Sequence, residues 1–448
     1  MGSNYILPNN GEEIPCAQKG EGVYIYDETG KRYLDGSSGP MTVNLGHGNK
    51  EVTEAIAKQM EKISFSYRSQ FTNQSLETLC ERIEEVTPEG LNKISFCNSG
   101  SEATELALKM AHSYWKSQGK SSKTKVISRW HSYHGATLGA LSMSGNPSRR
   151  KEYAGYLKDY PNLELPYCFR CPYEKAYPEC NLFCARYFEK LINQMGEDTI
   201  SAFIAEAVTG ASGAGITPPP GYFEIIERIC RDHDILFIMD EVITGFGRTG
   251  KYFACQHYDI NPDIITFGKG ISSGYGPLAG IIVKDSIYEG MRCKGVEFTS
   301  GHTYGGNPLS TAAGVATMEV LCRGDLVAGV AGKGEFLVQQ LRQVLDGVTI
   351  AVDLRGKGLL WGMEFAKSKG DKTPFPKEVN LTKRIVKACF NNGLIVYPSS
   401  GFIDGILGDS LLISPPFIIN EEEMIELSSI LKKSLIEVEK ELSSTFTV

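Results

Sequence analysis

Short, continuous runs of apolar residues recur through the middle of the chain, and helical segments separate several of them. The runs predict strands at residues 94–97, 125–128, 202–205, 235–239, 264–267 and 279–283. Continuous apolar runs are typical of strands that are buried on both faces of a mostly parallel sheet. Together with helices such as residues 221–233, they predict a doubly wound α/β domain.

The beginning of the chain has a different pattern of apolar and polar residues. Alternating residues before a glycine turn predict a hairpin over residues 22–31, and a helix is predicted at residues 50–62. The apolar face of that helix consists of Val52, Ala55, Ile56 and Met60.

The end of the chain mixes strands and helices. Residues 358–364 predict a strand, and residues 381–391 predict a helix. A long amphipathic helix follows, with Asn420 as its predicted N-cap and Glu423 completing a capping box. Its apolar stripe consists of Met424, Leu427, Ile430, Leu431 and Leu435.

A chain of 448 residues is too long for one simple core, so more than one domain is expected. The changes in the hydrophobic pattern indicate where the domains begin and end. We predict that residues 1–65 form part of a small domain and that residues 66–315 form a large domain. Residues 316–448 are predicted to be an α+β domain that completes the small domain.

Composition and charge narrow the classes of function. The chain is 42% hydrophobic and 22% charged, as a globular protein is. Its net charge of −7 argues against nucleic acid or an anionic membrane as a partner. Residues 1–15 are polar and do not predict a signal peptide. We therefore expect a cytoplasmic protein whose 12 cysteines are thiols.

Candidate chemistry begins where a predicted strand leads into a helix, at residues 98–102. Ser99 and Glu102 have the spacing of a capping box, and the free amides of a helix start attract an anion. Gly100 and Ser101 are therefore candidate phosphate-binding residues. A plain helix cap without a ligand would have the same sequence.

Two more strands end in residues that suit catalysis. Asp240 and Glu241 follow a buried strand, at the end where α/β folds place their ligands. Lys269 follows another buried strand between two glycines, and in such a setting a lysine can act as a nucleophile. A structural salt bridge and a surface lysine are the alternatives.

Aromatic and hydroxyl side chains complete the set. Tyr133 and His134 follow a strand and could form a wall against a heteroaromatic ring, or could simply pack in the core. The glycine-rich loop at residues 301–308 carries Thr303 as a further candidate phosphate contact, or is merely a loop. An anion cradle, an aromatic wall, a carboxylate and a nucleophilic lysine are the parts that a pyridoxal phosphate site requires.

In their order along the chain, these stretches resemble the class III aminotransferases, which have the fold type I scaffold of pyridoxal-phosphate enzymes. The resemblance is carried by residues 98–102, 133–135, 240–250, 262–270 and 302–308, and it extends from Asp35 and residues 46–47 to residues 415–416.

The resemblance implies a transaminase that holds pyridoxal 5′-phosphate as a Schiff base on Lys269. Lys269 would also shuttle a proton, and Asp240 would pair with the ring nitrogen. Tyr133 and Val242 would cover the two faces of the ring. Glu206 matches a family glutamate near the cofactor that often pairs with a substrate-binding arginine.

The resemblance also implies the phosphate site and the partners. Gly100 and Ser101 would hold the phosphate, with Ser99 and His134 among the cofactor contacts. Thr303 would reach the phosphate of a neighbouring subunit, which implies a homodimer with shared active sites, or a tetramer. The small-molecule partners would be an amine donor and a keto-acid acceptor.

Departures from the family pattern bear on the substrate. Many members have a carboxylate-binding arginine where this chain has Ala136, and residues 395–414 contain no arginine. The segment after Glu206 also lacks the usual proline. We expect pyruvate as the acceptor, and we expect the small residues Gly39 and Pro40 to leave room for a bulky amine. The carboxylate is then expected to bind elsewhere, with Arg68, Arg149, Arg150 or backbone groups as the candidates.

Four cysteines lie close together in a proline- and aromatic-rich insertion. Their spacing allows a structural zinc site, although reduced thiols are the better interpretation. The cysteines are Cys168, Cys171, Cys180 and Cys184.

A decarboxylating enzyme on this scaffold is the less favoured alternative, which a carbon dioxide assay would reveal. Two further alternative functions remain open from the sequence. One is a pyridoxal-phosphate amino-acid racemase or epimerase on the same scaffold, which would need no keto acid. The other is a binding protein that has lost catalysis, although Lys269 and Asp240 are both present. A nicotinamide-binding protein is excluded, because no G-x-G-x-x-G motif follows an early strand.

Overall fold

The structure is a computed structural model that describes Ile6, residues 14–370 and residues 372–445. Most of the polar segment at residues 1–15, for which no signal peptide is predicted, lies outside the described residues. Within the described ranges, every helix is too short or too polar to cross a membrane.

The N-terminal segment contains three strands and two helices. They are β1 (Ala17–Glu21), β2 (Tyr24–Asp27), β3 (Arg32–Asp35), α1 (Ser38–Met41) and α2 (Lys50–Lys62).

The middle of the chain alternates strands with helices. Its elements are α3 (Gln74–Glu84), β4 (Leu91–Cys97), α4 (Gly100–Ser117), β5 (Lys125–Arg129), α5 (Leu138–Met143), α6 (Pro147–Arg150), β6 (Asn162–Leu163), α7 (Phe183–Met195), β7 (Ile200–Glu206), α8 (Tyr222–Asp232), β8 (Leu236–Asp240), β9 (Ile264–Phe267), β10 (Ala279–Lys284), α9 (Asp285–Arg292) and α10 (Pro308–Cys322).

The last part of the chain contains a second group of strands and ends on a long helix. Its elements are α11 (Leu326–Asp346), β11 (Ala351–Lys357), β12 (Leu360–Phe365), α12 (Leu381–Asn391), β13 (Leu394–Ile395), β14 (Tyr397–Ile403), β15 (Leu407–Ile413) and α13 (Glu421–Thr445).

A seven-stranded sheet forms the centre of the fold, in the order β4-β10-β9-β8-β7-β5-β6. β10 runs antiparallel to both of its neighbours, while the other pairings are parallel. Every residue of β7, β8 and β9 is buried, because helices cover both faces of the sheet. The predicted α/β fold with a mostly parallel sheet is confirmed, and six strands place their carboxyl ends at one edge.

Two smaller sheets flank the centre. In one, β13 from the last part of the chain pairs in parallel with β3, joining Leu394 to Leu34. The other has the order β11-β12-β15-β14. The first pairing is what a small domain built from both chain ends requires, although the domain boundaries themselves stay a prediction.

The helix predictions are confirmed in detail at several places. α2 and α12 have the predicted bounds. At the start of α13, Asn420 N donates to Glu423 Oε2 and Glu423 N donates to Asn420 Oδ1, both at 2.9 Å, which is the predicted capping box. On α2, however, Met60 is 57% exposed, so its apolar face continues beyond the core of this chain.

A buried ionic network joins the cysteine-bearing insertion to the sheet of the last segment. Arg355 on β11 donates to Asp353 at 2.8 Å and to Glu364 on β12 at 2.6 Å. Arg170 donates to the other oxygen of Glu364 at 2.5 Å, and Tyr167 donates its hydroxyl to Glu364. Glu364 is fully buried, so its charge depends on these donors.

We predict that Arg355→Met lowers the free energy of unfolding by roughly 3–5 kcal/mol, because it leaves a buried carboxylate short of its main cation. Chemical denaturation at a fixed protein concentration measures the change. Arg82→Met is the matched control, since Arg82 forms an exposed pair with Glu85 and its loss should leave stability unchanged. Equal effects of the two substitutions would contradict the importance of the network.

Candidate active site

The candidate site lies at the sheet edge where the parallel strands end. A cavity of about 140 Å³ opens there, and the chain reaches it at the ends of β4, β5, β7, β8 and β9. Its lining comprises Gly100, Ser101, Tyr133, His134, Gly135, Glu206, Val208, Asp240, Val242, Ile243 and Lys269. Most of the predicted site residues are thus brought together from widely separated positions.

The start of α4 supplies free amides to the cavity. Ser99 caps the helix by accepting from Glu102 N at 3.3 Å, so Ser99 itself faces the helix and does not line the cavity. The Glu102 carboxylate accepts from Asn98 N at 2.8 Å, one residue earlier than the predicted box requires. The amides of Gly100 and Ser101 begin the helix and have no carbonyl partner within it.

Asp240 is the buried carboxylate at the end of β8. Its Oδ2 lies 2.7 Å from His134 Nδ1, and its Oδ1 accepts from Thr266 Oγ1 at 3.0 Å and from Val242 N at 3.1 Å. The neighbouring Glu241 turns away from the cavity and accepts from Ala254 N and Cys255 N. Only one of the two predicted carboxylates therefore serves the site.

Lys269 follows β9 in a left-handed backbone conformation, with a φ of 45°, which is costly for a residue that has a Cβ. Burial lowers the pKa of its amine to about 8, against the opposing charges of Asp240 and Glu206. A substantial fraction of the amine is therefore neutral near physiological pH, which a nucleophile towards a carbonyl requires.

Glu206 at the end of β7 holds the surrounding loops. Its Oε2 accepts from Tyr133 N at 3.2 Å, and its Oε1 accepts from Gly210 N at 3.0 Å. Burial raises the pKa of its carboxyl group. In the described part of the chain no arginine side chain pairs with this carboxylate, in contrast to the pairing that the resemblance implies.

Close packing shapes the walls of the cavity. A Cβ on Gly100 would lie 2.8 Å from Val242 Cγ1, so Val242 rests on the start of α4. Gly135 has a φ of 136°, and a Cβ there would meet Ser101 Oγ at 2.7 Å. Ser101 Oγ accepts from Ala136 N at 2.9 Å, which ties the aromatic loop to α4.

Other predicted residues lie outside the cavity of the single chain. Thr303 is exposed, and neither Gly39 nor Pro40 belongs to the described cavity lining. Arg68 donates to Thr299 O at 3.2 Å, away from the cavity.

Thr266 is a functional contact that sequence reasoning missed. It pairs with Asp240 across neighbouring strands and donates to its carboxylate. In the sequence, Thr266 is the single polar residue within the apolar run at residues 264–267, and this could have indicated a polar contact.

The zinc alternative concerns the four cysteines of the insertion. All four are free thiols, with Cys168 exposed and the others half-buried. Across the described ranges, no group of three or more His, Cys, Asp or Glu side chains is arranged to hold a metal ion. The structure therefore gives no support to the zinc alternative.

The residues present fit pyridoxal phosphate. His134 is buried against Asp240, and its Nε2 has no partner among the described residues. The free amides at the start of α4 suit a phosphate, and Asp240 suits a cationic ring nitrogen. Lys269 opens onto the same cavity.

Comparison with known proteins agrees with this site. The family model described as "Aminotransferase class-III" matches residues 6–435. "Uncharacterized aminotransferase YodT" of Bacillus subtilis is 42% identical over 442 residues, which cover 99% of each chain. "Putrescine–pyruvate aminotransferase" of Pseudomonas aeruginosa is 35% identical over 419 residues, 93% of this chain and 89% of that relative. The crystal structure of "a new transaminase from the marine bacterium Virgibacillus" has a TM-score of 0.91 at 33% identity and covers 98% of both chains.

We predict that Asp240→Asn lowers the pKa of Lys269 below its value of about 8, because Asp240 provides the largest charge that opposes burial. The midpoint is measured in cofactor-free protein by pH-dependent labelling of Lys269 with an amine reagent and peptide mass spectrometry. Lys294, an exposed lysine, supplies the internal control. An unchanged or raised midpoint in the variant would contradict the assigned role of Asp240.

Proposed function

This chain belongs to the class III aminotransferases, and we propose that it transfers an amino group from an amine or amino acid to pyruvate. It is a pyridoxal-phosphate-dependent transaminase of fold type I. The observation that carries the proposal is the cavity that Lys269 and Asp240 share at the carboxyl edge of the sheet. When bound, pyridoxal phosphate supplies an electrophilic carbonyl and an electron-withdrawing ring.

Lys269 is proposed as the covalent attachment point and as the group that moves the proton at the reacting carbon. Its amine is suited to both tasks, since a pKa of about 8 lets Nζ release and regain a proton near neutrality. The flanking Gly268 and Gly270 pack closely on neighbouring residues. A Cβ on Gly270, for example, would lie 2.4 Å from Asn44 Nδ2.

Asp240 is proposed to hold the ring nitrogen in its protonated form. Its carboxylate accepts hydrogen bonds from Thr266 and Val242 and contacts His134. Tyr133 and Val242 are proposed as the two walls that orient the ring, and Gly100 and Ser101 as the phosphate cradle. Glu206 positions Tyr133 through its backbone amide.

Pyruvate fits the charge of the cavity better than an acceptor with two carboxylates. Among the described lining residues, Lys269 is the only lysine, and no arginine belongs to the lining. The name of the Pseudomonas relative pairs putrescine with pyruvate. The matching relatives and structures offer no support for the racemase alternative, and we do not retain it.

We propose a homodimer because the single chain exposes apolar side chains on part of its surface. Exposed apolar side chains cluster at the end of α2 and in the loop that carries Thr303, where the Phe65 and Tyr304 rings lie 5.8 Å apart. Exposed apolar side chains in such number are typical of an interaction surface. The exposed members are Met60, Ile63, Phe65, Tyr67, Phe71 and Tyr304. We propose that Thr303 completes the phosphate site of the second subunit across this surface.

We predict that the enzyme converts pyruvate to alanine with an alkylamine donor. We also predict that kcat/KM for pyruvate exceeds that for 2-oxoglutarate at least about tenfold, because the described cavity lining contains no arginine for a second carboxylate. Chromatography of alanine and of the carbonyl product measures the reaction. Lys269→Ala should lower kcat by roughly 100- to 10,000-fold, with Lys294→Ala as the control.

Other results of that assay would be decisive against the proposal. A preference for 2-oxoglutarate would refute the acceptor assignment. Loss of optical purity of an amino acid in the absence of any acceptor would restore the racemase.

We predict that mixing Lys269→Ala subunits with Thr303→Ala subunits restores activity, because one site of each hybrid dimer then contains both native residues. The hybrid is prepared by co-expression with two affinity tags, and its specific activity should approach half that of the wild type. Homodimers of each variant are the controls. Activity no higher than the mean of the two homodimers would exclude a shared site.

A further inference from the structure

A cationic side chain, Arg149, lies beside the cavity. Its guanidinium carbon is 4.5 Å from the centre of the Tyr133 ring, and Tyr133 lines the cavity. The side chain is exposed, and among the described residues no carboxylate lies within ion-pair distance of it. A guanidinium binds a carboxylate through two parallel hydrogen bonds, so this group is available for a bound anion.

The other arginines proposed from the sequence already serve the chain itself. Arg150 Nη1 donates to the carbonyl oxygens of Ser142 at 2.9 Å and Ser144 at 2.5 Å, at the end of α5. Arg68 donates to Thr299 O, and its guanidinium packs so closely on Gly301 that a Cβ there would lie 2.1 Å away. The structure thus separates Arg149 from the two alternatives.

Two buried arginines near the site donate hydrogen bonds to main-chain carbonyl oxygens. Arg129 Nη2 donates to Glu206 O at 2.6 Å, behind the cavity wall. Arg248 Nη1 donates to Pro415 O at 2.7 Å and to Leu359 O at 3.1 Å. Both guanidinium groups are fully buried, whereas the side chain of Arg149 is exposed.

The element that carries Arg149 is firmly held. Asn146, which is buried, accepts from Arg149 N at 3.3 Å and donates to Ser212 Oγ at 2.9 Å. On the other side, Gly405 in the turn between β14 and β15 packs on Pro147, where a Cβ would lie 2.7 Å from Pro147 Cβ. The short helix α6 is therefore clamped between two segments.

One of the two segments that hold α6 is the turn between β14 and β15. The β14–β15 turn lies within residues 395–414, which contain no arginine of their own. Here the same turn supports the helix that presents Arg149. The charge of Arg149 is also among those that act on the Lys269 amine, so the two cations share one electrostatic environment.

We infer that Arg149, stacked on Tyr133, binds the carboxylate of the keto-acid acceptor and of amino-acid donors. The inference rests on the proposed function, since it deepens the assignment of pyruvate as acceptor. Donors and acceptors that lack a carboxylate do not use this contact. Arg149 is thus a specificity-determining residue and not part of the proton-transfer machinery.

The test compares acceptors with and without a carboxylate in Arg149→Met and Arg149→Lys variants, using an alkylamine donor throughout. In Arg149→Met, kcat/KM for pyruvate should fall about 10- to 100-fold, while that for butanal should stay within about twofold. Arg149→Lys should recover part of the loss, because it keeps the charge without the fork. Arg292→Met, which removes an exposed arginine from α9, is the matched control.

Equilibrium binding provides a second readout that does not depend on turnover. Propionate and the neutral propionamide are titrated into the holoenzyme while the visible absorbance of the bound cofactor is recorded. We expect Arg149→Met to weaken propionate binding about 10- to 100-fold and to leave propionamide binding unchanged.

The outcomes separate the inference from the proposed function. Equal losses for pyruvate and butanal would overturn the inference, because they would mean that Arg149 only supports Tyr133. Unchanged pyruvate kinetics in Arg149→Met would overturn it as well. A wild-type enzyme that does not turn over pyruvate, yet whose propionate affinity depends on Arg149, would instead contradict the proposed acceptor.

Discussion

The buried carboxylate of Asp240 is the constraint around which the site is organised. A charge at the end of a central strand is tolerated only if donors surround it. Here Thr266 comes from the neighbouring strand, His134 from the loop after β5, and Val242 from the residues that follow Asp240. Satisfying one carboxylate therefore fixes three segments of chain relative to each other, and two of these segments supply the proposed walls of the ring site.

The same charge sets the chemistry of Lys269. Burial alone would drive the amine far towards its neutral form, and the carboxylates of Asp240 and Glu206 oppose that tendency. The result is an amine near its titration midpoint at physiological pH, which suits a group that must both attack a carbonyl and move a proton. Glu206 contributes in a second way, because its oxygens accept from the amides of Tyr133 and Gly210 and so hold the aromatic loop.

The sequence was sufficient for features that follow from local rules. Continuous apolar runs identified the buried strands, and residues at the carboxyl ends of parallel strands must meet at one edge, so Lys269 and Asp240 could be placed together. The reversed direction of β10 could not be predicted, because an apolar run has the same pattern in either direction. Nor could the orientation of Glu241, since two adjacent acidic residues look equivalent until packing turns one of them towards Ala254 and Cys255.

For the same reason, the sequence could not indicate which of the three candidate arginines lies beside the cavity. Arg149 and Arg150 are neighbours of identical chemistry, yet Arg150 lies over the carbonyl groups at the end of α5 while Arg149 faces Tyr133. What separates them is the direction of one helical turn, which is set by the Asn146 cap and by Gly405 packing on Pro147. The turn between β14 and β15 therefore helps to set the position of Arg149, because it supports the helix that carries this side chain.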